Sequence, residues 1–152
     1  MSRSGYTDDC DNLALYRGTV LSSVKGKRGQ KLLRELAEGM DAMPEKVLIA
    51  NELVHDGAYC ALGVVGAKRG IDMTGIDPED AGKVSATFDI AECLAQEIVY
   101  INDECGDDFK QQVVGGRWMR VPETPAERWT RVRKWVAKHI KDAPIDTTVT
   151  KP

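Results

Sequence analysis

The chain is poor in the residues from which catalytic and metal centres are usually assembled. Its 152 residues include two histidines, His55 and His139, and four cysteines, Cys10, Cys60, Cys93 and Cys105, with no Cys-x-x-Cys pair among them. Structural zinc sites draw paired ligands at short spacing, so no metal and no cofactor is expected, and the thiols are expected to be reduced. No run approaches eighteen apolar residues, and the opening "MSRSGYTDDCDNLALYRG" lacks the apolar stretch of a secretory leader. A cytoplasmic protein with no membrane attachment is the expectation. Positive charge is not in excess either: 21 Lys and Arg face 24 Asp and Glu, for a net charge of -3. That balance removes a general attraction to nucleic acid or to anionic membrane and leaves only local basic patches to consider.

What the chain does have is a pattern for helices. With 42% hydrophobic and 30% charged residues, it fits one mainly α (α+β) domain of five to six helices over residues 1–144, followed by a frayed tail at 145–152. A first helix is expected from about Asp9 to Val24, stopped by Gly26. A second, "KRGQKLLRELAEGMDAM", has Leu32, Leu33, Leu36, Ala37 and Met40 as its apolar stripe and Pro44 as its end. The run "EKVLIANELV" at 45–54 suits either a strand or a helical turn and reads on balance as helix or irregular chain before an Asp56-Gly57 turn. Ala58 to Lys68 then reads as a helix ended by Gly70. Glycines cost about 1 kcal/mol against alanine inside a helix, so Gly63 and Gly66 imply a close-approaching backbone. In "GIDPED", Asp77 is expected to cap a short helix with Pro78 in its first turn, and Asp89 a longer one with Ile90, Leu94, Ile98 and Ile101 buried, Cys93 and Glu97 beside them. Gly115-Gly116 between β-favouring residues marks a hairpin near 109–121. Thr124-Pro125-Ala126-Glu127 is a capping box that opens the last helix, with Trp129, Val132, Val136 and Ile140 inward.

Four groups of residues are candidates for function. Cys60 at a helix start, with His55 as base and Asn102 or Asp103 to orient the imidazole, has the residue types of a cysteine nucleophile relay. Its plain counterpart is a buried cysteine packing as a small hydrophobe in "CALG". Asn102-Asp103, with Glu104, Asp107 and Asp108 near in sequence, departs from the calcium-loop spacing and reads first as a helix end bonding neighbouring backbone. Basic residues cluster at Lys25, Lys27, Arg28, Lys31 and Arg34, and again at Arg128, Arg131, Arg133, Lys134, Lys138 and Lys141. If those faces met they would form a phosphate-contacting patch; alone, each is a solvated helix face. Finally Trp118, flanked by Arg117 and Arg120 with Phe109 across from it, has the composition of an interface anchor, or of a residue that glues the hairpin to the helices.

The words "SRSGYTDD", "KRGQxxLxEL", "CALGxxGxxRGIDMxxIDPED", "IAExLAxEIVYxND" and "ETPAERWxRxRxWVxxHI", with x any residue and taken in order, resemble a group of uncharacterised small proteins encoded in bacteriophage and prophage genomes. "CALG" and "ND" also look like words of a wider domain family of unknown function. The resemblance covers residues 1 to 141 and implies no established activity. In that group the chain runs almost directly from "ND" to "ETP", which marks 106–121 as an insertion here. The kinship implies a non-catalytic protein that binds a host or phage macromolecule, such as a protein complex of a host defence system in the anti-CRISPR manner. A cysteine-dependent hydrolase or transferase using Cys60 is the first alternative, and a nucleic-acid-associated regulator using the basic helices is the second.

Overall fold

Chain order and patterning translate into helices wherever an apolar stripe and a cap coincide. The computed structural model describes residues 13–103, 111–120 and 122–141, the side chains at 13–16, 111–114 and 118–120 excepted. Six helices and two antiparallel ribbons occur among them. α1 (Leu13–Lys25) ends before Gly26, whose extended backbone starts α2 (Lys27–Ala42) at once. The expected start of the first helix, at Asp9, lies outside the described residues. α2 buries the whole stripe read from the sequence, with Leu32, Leu33, Leu36 and Met40 at zero exposure.

After Pro44 the chain is irregular through residue 53 and is anchored by the side chains of Leu48 and Leu53, both buried. It then makes a two-residue ribbon, β1 (Val54–His55) against β2 (Ala58–Tyr59), with Val54 opposite Tyr59 and His55 opposite Ala58. The helix expected from Ala58 therefore begins three residues later, as α3 (Ala61–Arg69), because Ala58 and Tyr59 pair across the Asp56-Gly57 turn. Gly70 ends it in the left-handed conformation.

Two caps are placed differently from the sequence expectation. Asp77 folds its carboxylate onto the Glu79 amide at 2.9 Å and closes a turn over Pro78, the local side chain-to-backbone bond that competes with helix initiation. Asp80 caps α4 (Ala81–Phe88) instead, accepting from the Lys83 amide at 3.1 Å. Asp89 is the C-cap of α4, with φ 56° and ψ 55°, rather than the N-cap of the next helix. Aspartate tolerates that left-handed position because its short side chain bonds locally. α5 (Glu92–Asp103) follows, with Leu94, Ile98 and Ile101 buried as expected.

β3 (Gln111–Val114) and β4 (Arg117–Arg120) form the second ribbon. Gly115 and Gly116 both take positive φ, 60° and 82°, which is the primed turn that matches the twist of two paired strands. α6 (Pro125–His139) opens on the full capping box: Thr124 Oγ1 accepts from the Glu127 amide, and Glu127 accepts from the Thr124 amide at 2.9 Å. Val132 and Val136 are buried, with Trp129 and Ile140 packed partly against the same core. That core takes side chains from all six helices and from the irregular segment before β1. No helix among the described residues is long and apolar enough to cross a membrane.

Candidate functional site

Asp56 and Gly57 turn the chain so tightly that Cys60 arrives at the start of α3 with its amide bonded to the Leu53 carbonyl at 3.1 Å. Its Sγ is the cap of that helix, accepting from the Gly63 amide at 3.4 Å. The thiol is 5% exposed. Burial, with a smaller contribution from the nearby Asp103 charge, outweighs the lowering by the Gly63 amide and leaves the thiol pKa pushed up to about 12. Desolvation of the thiolate thus outweighs the helix start, which in a solvated site would favour it.

Two of the residues expected beside Cys60 are there. α5 ends at Asn102 and Asp103, and the Asn102 amide is a three-way clamp. Its Oδ1 accepts from the Ala61 amide at 3.1 Å, and its Nδ2 donates to the Ile49 carbonyl at 2.9 Å and to Asp103 Oδ1 at 2.7 Å. The same carboxylate oxygen accepts from the Asn51 amide at 3.2 Å. Asn51 is held at φ 76°. Cys60, Asn102, Asp103 and Glu52 line a cavity of about 10 Å³, the room for one water and not for a substrate.

His55 is not part of this arrangement. Its side chain is 61% exposed, with Nδ1 3.4 Å from Glu52 and Nε2 3.3 Å from Asp56. Cys60, Asn102 and Asp103 come together without a base, and each polar group is bonded to a backbone amide or carbonyl that would otherwise be orphaned in the interior. The other histidine is also engaged, its Nδ1 2.8 Å from the Trp135 carbonyl and its ring 4.5 Å from that of Trp135. Among the described residues no group of three or more His, Cys, Asp or Glu side chains is placed to hold a metal ion.

The clamp continues into α6 through residues that sequence reasoning assigned to a solvated basic face. Arg128, buried, donates Nε to the Asn102 carbonyl at 2.9 Å and Nη1 to the Leu48 carbonyl at 3.3 Å. Arg131 reaches the Ile101 carbonyl at 2.5 Å and is forked on Glu123 at 2.7 and 2.9 Å. Two cations thus neutralise the carbonyl end of α5, where the helix leaves acceptors unfilled and the macrodipole is negative. Arg133 is forked on Asp41 at 2.8 and 2.9 Å, and holds that carboxyl below its ordinary range. Nothing local in "ERWTRVRKW" separates these three arginines from the exposed Lys134 and Lys138.

No family model, curated protein or solved structure matches the chain.

On the second ribbon, register places position 118 opposite Val113 and position 120 opposite Gln111. Strand alternation puts 118 and 120 on one face and 117 on the other. Gly115, Gly116 and Arg117 are exposed at the tip. Phe109, and the side chains of Trp118 and Arg120, lie outside the described residues.

Proposed function

We propose that this chain is a non-catalytic binding protein of the bacteriophage type that its sequence resembles. It acts in the cytoplasm of a bacterial host by holding a host or phage macromolecule stoichiometrically. An inhibitor of a host defence complex is one such role. The observation that carries the reading is the clamp around Cys60: the thiol stays protonated, its cavity takes one water at most, and the exposed His55 faces Glu52 and Asp56. A nucleophile needs the opposite of each.

The recognition element in this proposal is the β3–β4 ribbon, whose glycine tip exposes Arg117. A segment that the resemblance marks as inserted is free to differ between related proteins while the helices carry the core. The test is affinity capture with tagged wild-type protein and with Trp118→Ala/Arg120→Ala, in lysate of the bacterial host. A discrete stoichiometric partner that the folded double variant fails to hold supports the reading. Equal capture by both proteins removes the ribbon from the interface, and absence of any partner counts against a binding protein. A Cys60-dependent turnover would restore the hydrolase or transferase alternative.

A further inference from the structure

The two basic clusters of the sequence do meet, at one residue. The end of α6 crosses the elbow between α1 and α2, where Lys141 Nζ donates to the Lys25 carbonyl at 2.8 Å and Arg34 Nη2 lies 3.5 Å from the Lys141 carbonyl. Gln30 fastens the crossing: it donates to the Val24 and His139 carbonyls at 2.7 and 3.1 Å and accepts from the Lys141 amide at 2.8 Å. The result is an open groove of about 460 Å³ whose cations are Lys25, Lys27, Lys31, Arg34 and Lys141.

Glu35 and Glu38 also line it, and α3 neutralises both. Arg69 holds Glu35 through Nε at 3.1 and 3.3 Å and through Nη2, and Lys68 sits 3.3 Å from Glu38. Among the described residues no carboxylate pairs with any of the five groove cations, in a chain whose net charge is -3. Charge of one sign is therefore concentrated there.

We propose that this groove docks one phosphate ribbon of a DNA duplex, without regard to sequence. Lys27, Lys31 and Arg34 recur at one-turn spacing along one face of α2 and cover about 10 Å of its length, enough to meet about three consecutive phosphates of a strand. Four of the five cations are lysines, which meet phosphate as point charges without fixing its orientation, as contact that ignores sequence requires. Gln30 has its amide occupied by backbone on both sides, and among the described residues no aromatic side chain lines the groove. Base stacking thus lacks the rings it needs, and the one side-chain amide of the groove is not free to read an adenine edge.

Fluorescence anisotropy of a labelled 20-base-pair duplex of arbitrary sequence, titrated with the full chain, tests this. Binding at ~50 mM salt should weaken about a hundredfold by ~200 mM, and a second duplex of unrelated sequence should behave alike. Lys27→Glu/Lys31→Glu, both exposed positions, should bind at least tenfold more weakly, with a salt slope smaller by about 2. Lys83→Glu, exposed on α4, should change affinity less than about twofold. Circular dichroism on each sample establishes that the variants are folded. No binding at ~50 mM salt overturns the proposal, and so does binding indifferent to the two groove lysines. Lysine-dependent binding of polyglutamate with no duplex binding assigns the groove to an acidic protein segment and equally overturns it.

Discussion

Burial of Cys60 has a consequence at alkaline pH. An unfolded thiol gives up its proton near 9.0, while the folded one keeps it until about 12, chiefly because the thiolate would be desolvated and secondarily because it would face Asp103. The unfolded state therefore binds fewer protons between those values. The contribution of this group to stability is complete below pH 9.0 and is lost on raising the pH toward 12, at about 1 kcal/mol per unit. Urea midpoints at pH 8 and pH 10.5 should fall further for wild type than for Cys60→Ala; parallel loss in both would show that the thiol is not the titrating group. At neutral pH Cys60→Ala should cost about 1 kcal/mol and leave partner capture unchanged. The glycines of α3 separate in the same way. A methyl at Gly63 would overlap the Leu53 carbonyl, backbone that the Cys60 amide already holds, whereas at Gly66 its nearest neighbours would be atoms of the flexible Met73 side chain. Thermal melts should place Gly63→Ala about 3 kcal/mol below wild type and Gly66→Ala about 1 kcal/mol below. The sequence expectation of close backbone thus holds at the first glycine, while at the second the neighbour is a side chain.

The helices differ in how far their joints could be read in advance. The Thr124 capping box joins residues three apart, so it was visible in the sequence, and Thr124→Ala should lower stability by about 1 kcal/mol in chemical denaturation. Asn102 joins α5 to the Ala61 and Ile49 backbones 41 and 53 residues away, and no local pattern announces such partners. Truncation there leaves a buried amide and a partly buried carbonyl unfilled, so Asn102→Ala should cost about 3 kcal/mol, well beyond the cap. Equal losses in the two variants would mean that water replaces the clamp. The misplaced caps at Asp77 and Asp89 have a local cause. Each aspartate sits where more than one short-range role is chemically suitable: Asp77 closes a turn on the Glu79 amide, and Asp89 takes the left-handed position that ends α4.

At the scale of the whole molecule, with Cys60, Asn102, Asp103 and Arg128 taken into the interior, two surfaces among the described residues carry the proposed functions. One is the β3–β4 ribbon. Trp118→Ala should weaken partner capture by about 2 kcal/mol with helicity retained, measured by titration and circular dichroism on the same sample. Loss of helicity would make the tryptophan structural. The other is the basic groove, whose defining contact joins Lys25 to Lys141 across 116 residues.

Composition and period alone determined that this chain is mainly helical, which faces of α2, α5 and α6 turn inward, and where Gly115-Gly116 reverses the chain, because each of these is a preference of residues within a few positions of one another. Only the tertiary structure decided that Cys60 would be sealed against solvent and apart from the carboxylate-paired His55. The same holds for the arginines of one run, which are divided between the end of α5 and Asp41, and for the two basic clusters, which meet through Lys141. Those outcomes depend on desolvation and on pairing between distant segments. Neither has a value until the segments are packed.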